Sequence, residues 1–398
     1  MTLKNRPVLS IISICCTSLL VSCLMPVFAQ VEADLKKGDD WQAMQKAYRQ
    51  SVIEAKTPGD RAQILKEFAM QLIKRKQYEE AEPLLTQCLS IQRQKNETDL
   101  STLQTLSNLA LVKHKLKKEE EAESLYKECV EKKRKVCPDT SSLALTLTNL
   151  ANLYSEARRP TDAEPLYLEA YEIDKKLGGE NHIESGQDLF NLGGMYYKCN
   201  EPKKALKFFE RAEKIFEACG SGAHEELVRT LHYSALCHSA LEDHQSAIRY
   251  NEKALSLQES LKGETHFDTV IHLLNLAHAK SKIGKTSEAL SLYHKALARA
   301  NGSNPRDELK ICECNAELAN FYRLQKQFVK AEENYKKALE HYQKLSKHEK
   351  RGLYSLPHSY SLMLESLGRK EESHHIAHEY LHVFKPHHQS HSPKGDQP

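Results

Sequence analysis

The stretch TLTNLANLYSEARRPTDAEPLYLEAYEIDKKLGGENH, Thr146 to His182, decides the fold. It holds two amphipathic segments separated by a short break. Moved along the chain, it finds a small residue again at Ala69, Ala110, Ala151, Gly193, Ala235, Ala277, Ala319 and Ser361, at spacings of 41 and then 42. A second series follows twelve residues behind: Ala81, Ala122, Ala163, Ala205, Ala247, Ala289, Ala331 and Ser373. Two phase-locked series over eight periods define a repeat architecture in which each unit packs on its neighbours.

Within a unit, Leu147, Leu150, Ala151 and Tyr154 fall on one face of a helix, and Ala163, Tyr167 and Ala170 on one face of the next. A ring between two small residues is the interlocking that packed antiparallel helices need. Ala289, Tyr293, Ala296 and Ala331, Tyr335, Ala338 repeat the arrangement. Pro160, Thr161 and Glu164 have the spacing of a proline-led capping box, so the unit is predicted to be a helical hairpin.

NLA, a tyrosine three residues later and then AEPLY resemble the tetratricopeptide repeat, in a 42-residue form similar to that of kinesin light chains. Leu177, Gly178, Glu180 and His182, echoed by Leu261, Gly263, Glu264 and His266, resemble the linkers of that form. The resemblance covers about four fifths of the chain and implies an all-α, right-handed superhelix of helical hairpins. Tyr233 and Ser234 depart from the pattern in repeat 5, and Pro357 interrupts the first helix of repeat 8. A HEAT or armadillo array has a similar period, but the alanine and tyrosine register favours the tetratricopeptide reading.

Outward from this core, residues 60–384 form about eight repeats. Residues 39–56 form a capping half-repeat, with a helix from Asp39 to Glu54 whose Trp41 covers the open end of the stack. Asp60 and Gln63 are spaced as a capping box, and Asn304 with Pro305 as the cap and first turn of repeat 7. Residues 1–29 carry Lys4 and Arg6 ahead of an apolar run from Val8 to Phe28, which reads as an export signal. Val27 and Ala29 suit cleavage before Gln30. Lipidation at Cys23 and retention as a membrane anchor are the competing readings. The expected location is periplasmic or extracellular, with the membrane involved only through this region.

With 57 basic and 54 acidic residues interleaved along every helix, no feature draws nucleic acid. No phosphate loop, G-x-S-x-G or Cys/His constellation appears, so no cofactor is implied and the chain is expected not to be an enzyme. Cys88 and Cys129 stand where Ala170 and Ala254 stand and read as packing residues. Cys312 and Cys314 point to different faces of one helix, and Cys199, Cys219 and Cys237 are the only group placed to pair. The histidine-rich end contains HEYLH, residues 378–382, the H-E-x-x-H pattern of zinc peptidases. His374, His378 and His382 are the candidate ligands of that alternative, a metal-binding protein or zinc peptidase. Composition and the place of this segment in repeat 8 oppose it, and residues 385–398 read as a disordered tail.

The function expected is therefore an exported, non-catalytic scaffold for a protein or peptide partner. Two residues before the small residue of the first helix stand Asn108, Asn149, Asn191 and Asn275, though asparagine disfavours a helix interior by up to ~0.7 kcal/mol. The resemblance implies that the first helices line a concave groove, where asparagine can grip the backbone of an extended peptide. The competing role for these amides is to bond the neighbouring repeat. Asn152, Tyr197, Arg229, His278, Asn320 and Arg323 share the face, giving a polar, mildly basic groove. No repeat pairs a lysine with an asparagine four residues later as a carboxylate clamp would, so an internal segment is expected rather than a chain end.

Overall fold

The computed structural model describes residues 41–303 and 306–381, and all elements among them are helical. The chain divides into two compact units, one ending at Val136 and one beginning at Cys137. The first holds α1 (Trp41–Glu54) and two hairpins, α2 (Pro58–Lys74) with α3 (Tyr78–Lys95) and α4 (Leu100–Lys115) with α5 (Glu119–Val136). The second holds six. They are α6 (Ser141–Glu156) with α7 (Pro160–Gly178), α8 (Ile183–Lys198) with α9 (Pro202–Cys219), and α10 (His224–Ala240) with α11 (His244–Lys262). After them come α12 (Val270–Lys282) with α13 (Thr286–Asn301), and α14 (Glu308–Leu324) with α15 (Phe328–Gln343). A short α16 (Lys347–Gly352) precedes the last hairpin, α17 (Ser355–Ser366) with α18 (Lys370–Ile376), which runs into a π turn over Ala377–Leu381.

One backbone device closes all eight hairpins. The first helix ends in a residue with positive φ, seven places after the small residue: Lys76, Lys117, Arg158, Asn200, Glu242, Gly284, Lys326 and Gly368. The next residue's N–H then donates to the carbonyl five residues back, as in Gln77 to Leu72 (2.9 Å), Arg159 to Tyr154 (2.8 Å) and Arg369 to Leu364 (3.0 Å). This is the six-to-one bond of a Schellman turn, and it delivers the chain directly into the second helix. The predicted box at Thr161 and Glu164 is therefore corrected: the N-cap is Arg159, with no side-chain cap bond. Side-chain caps are found at Thr57, Asp99, Thr140 and Asp307 before first helices and at Asp243 before the second helix α11. Thr57, not Asp60 with Gln63, caps α2 by accepting from the Asp60 N–H at 3.1 Å. Asp307, not Asn304, caps α14 by accepting from the Lys310 N–H at 3.0 Å, and Asn304 and Pro305 lie outside the described residues.

The two small-residue series are where the helices of a hairpin touch. Ala69 and Ala81, Ala151 and Ala163, and Ala319 and Ala331 are all fully buried. In the last hairpin the series meet as a hydrogen bond, Ser361 Oγ to Ser373 Oγ at 2.8 Å. Gly193 replaces alanine because Phe209 occupies the space: a Cβ there would lie 2.6 Å from the ring. Repeat 5 is as regular as the others. Asn251 takes the place of the second-helix ring, and Tyr233 contributes one from the first helix, 5.8 Å from Phe209 and 5.6 Å from Phe190. The first helix of repeat 8 is interrupted as expected, between Gly352 and Ser355, just ahead of Pro357. The proline sits in the first turn of α17, where a backbone N–H has no partner in its own helix.

At the start of the first unit, Trp41 and Tyr48 lie against Phe68, with ring centroids 6.4 Å and 4.8 Å away, and Arg75 covers the Trp41 ring at 4.2 Å. None of the eight described cysteines forms a disulfide, Cys199, Cys219 and Cys237 included. Cys88, Cys129 and Cys312 donate across their hairpins to the carbonyls of Ala62, Leu103 and Ala338 at 3.1–3.3 Å. Burial pushes the Cys312 and Cys314 thiols up to about 12, which leaves both neutral. The two predicted faces of this helix are both covered, one by α15 and one within the stack.

Candidate functional site

Each first helix keeps one stripe partly open, at the places six and two before the small residue and one after it. Through the second unit the middle place reads Asn149, Asn191, Tyr233, Asn275 and Glu317. The asparagines do different things there. Asn149 makes no hydrogen bond among the described residues, Asn191 accepts from Gln187 at 3.0 Å on its own helix, and Asn275 reaches His232 of the neighbouring repeat at 3.4 Å. In the first unit, Asn108 donates to the Met70 sulfur at 3.1 Å, again in the neighbouring repeat.

The place after the small residue serves the hairpin as well as the face. Tyr167 and Tyr335 each donate their buried hydroxyl at 2.6 Å to the side-chain oxygen of Asn152 and Asn320. Arg323 lies beside the same Tyr335 hydroxyl. Tyr197 meets the edge of Tyr233 at 5.7 Å, and Arg229 lies over the Phe190 ring at 4.6 Å, so these four form a partly open aromatic patch.

Three of the expected groove residues come together. Asn275 and His278 of α12 and Asn320 of α14 line one cavity of about 370 Å³, walled by Leu274 and roofed by Leu353 and Leu356 from the α16–α17 segment. Its floor also carries Glu313 and Glu317, which the sequence reading missed. Burial holds both carboxyls above the usual range, and Glu313 raises Glu317 further. An Asn320 hydrogen bond partly offsets this. The expected mildly basic face is thus acidic here. Charge alternation along α14 hides this from a reading by composition, because Lys310 lies on the same helix.

At the end of the chain, Glu379 faces His375 at 3.3 Å rather than a histidine pair. His374 and His378 stand on α18 and the π turn that follows it. His382, the export segment with Cys23, and residues 385–398 lie outside the described residues.

Paired antiparallel helices, a repeated buried alanine contact and a repeated turn define a helical-hairpin repeat protein. The tetratricopeptide repeat pattern matches residues 60–135, 142–218 and 226–301, more than half of the chain, which belongs to that family. Among solved structures, a signal-transduction ATPase with a tetratricopeptide sensor from Pyrococcus horikoshii is 16% identical, with a TM-score of 0.56 over 89% of this chain and 51% of that one. The apo form of RapI is 14% identical, with a TM-score of 0.53 over 71% and 97%. A putative kinesin light chain from P. anserina is 20% identical, with a TM-score of 0.45 over 50% and 96%. These are likenesses of fold. The chain has no match among curated proteins.

Proposed function

We propose that the protein is an exported, non-catalytic scaffold that holds an extended segment of a protein partner against the open stripe of its first helices. The observation that carries this reading is the stripe itself. Packing accounts for the alanine, leucine and tyrosine positions of each hairpin, but it leaves Asn149 uncommitted and Asn191 tied only to its own helix. Amides with free donors and acceptors on an open face suit the backbone of an extended chain. Membership of a repeat family whose elongated stacks present such faces supports the same reading.

Crosslinking in the native envelope would supply the partner. Replacing Asn149 and Asn191 together by Ala should then weaken its binding by roughly 1–3 kcal/mol while leaving the melting temperature nearly unchanged. A double variant that melts far lower, yet binds normally when folded, would return these amides to the stack. For export, N-terminal sequencing of the native protein should begin at Gln30, whereas an intact Met1 in the cytoplasmic fraction would end that part of the proposal.

A further inference from the structure

The cavity over α12 and α14 differs chemically from the rest of the stripe. Glu313 and Glu317 stand one helical turn apart on its floor. Glu313 forms an ion pair with Lys310 at 3.8 Å, whereas Glu317 has no ion pair among the described residues. Asn320 steadies Glu317 but carries no charge. Leu274, Leu353 and Leu356 give this pair an apolar collar, interrupted by Asn275, His278 and Ser355. Glu317, recessed and without an ion pair, attracts a cation more strongly than an exposed carboxylate does, because less water screens it. An apolar collar around a charged floor matches a side chain with a methylene stem and a cationic head.

We propose that this cavity receives the lysine or arginine side chain of a partner segment, its stem against Leu274, Leu353 and Leu356 and its head between Glu313 and Glu317. The inference rests on the scaffold reading and adds a specificity to it: a basic residue at one fixed place in an otherwise loosely read segment. Charge complementarity carries the choice of occupant. An acidic or neutral side chain entering here would leave Glu317 unpaired.

The test is selection from a random peptide library on the full chain, on a Glu313→Gln/Glu317→Gln variant and on the Asn149→Ala/Asn191→Ala variant. Peptides selected by the full chain should share a lysine or arginine at one position. Replacing that residue by norleucine should weaken binding about ten-fold or more, a loss that shrinks as salt is raised. The glutamine variant, checked for unchanged helicity and melting, should bind both peptides alike. A basic preference that survives in the glutamine variant overturns the proposal. So do selected peptides that depend on Asn149 and Asn191 but lack a basic residue, and that outcome leaves the scaffold reading standing. If no peptide is selected at all, both fall. If basic peptides are selected only by a chain ending at Leu381, the occupant is the chain's own end rather than a partner.

Discussion

Where a second helix places a tyrosine between its small residues, the first helix can meet its hydroxyl from one place after the small residue. Tyr167 faces Asn152 and Tyr335 faces Asn320, each hydroxyl donating at 2.6 Å, whereas Phe209, with no hydroxyl, belongs with Gly194. Tyr126 is not met in this way. The matching place holds Leu111, and the fully buried Tyr126 hydroxyl has no partner among the described residues. A buried hydroxyl without a partner has lost its water for nothing in return. Tyr126→Phe should therefore leave stability unchanged or raise it by about 1 kcal/mol, while Tyr167→Phe, which strands Asn152, should lower it by a similar amount. Urea unfolding of the two variants compares them directly. Equal losses would mean that this matching has no energetic content.

At the scale of the element, the hairpin turn uses a left-handed residue that six of the eight repeats fill with something other than glycine. A side chain in that conformation costs about 1 kcal/mol relative to glycine, and the six-to-one hydrogen bond keeps the turn in place regardless. Lys76 and Lys326 are exposed and have φ of 60° and 56°. Lys76→Gly and Lys326→Gly should each stabilise by up to about 1 kcal/mol, and Gly284→Ala, at φ 80°, should destabilise by a comparable amount. Thermal melts of the three single variants would reveal the opposite signs. A stabilising Gly284→Ala would show that the turn adopts another conformation.

For the molecule as a whole, contacts run between neighbours in sequence, so damage at one end should stay local. The capping helix is the place to apply it, because Met44 and Tyr48 are buried there and Trp41 packs on Phe68. Replacing Trp41 and Tyr48 by Ala should lower the opening free energy of α2 and α3 by a few kcal/mol. Amide exchange in α14 and α15 should barely change. An equal rise in exchange rate along the entire chain would mean that the repeats open as one unit.

Periodicity alone determined the hairpins, their number and the residues at their contacts. A small residue is needed wherever two helix backbones approach, and that need recurs with every repeat. The first-helix caps were also open to reading, because Thr57 and Asp307 each stand directly before a helix. The left-handed turns had no such signal, since Lys76, Arg158 and Glu242 are not residue types that announce positive φ, and only the backbone bond that follows explains them. Nor could spacing reveal the acidic cavity. Glu313 and Glu317 read as an ordinary solvated pair until the segment from α16 into α17 brings Leu353 and Leu356 to the cavity they line. That segment keeps the 42-residue period from Ala319 to Ser361, so no change of spacing marks it, and its course is decided by packing and not by period.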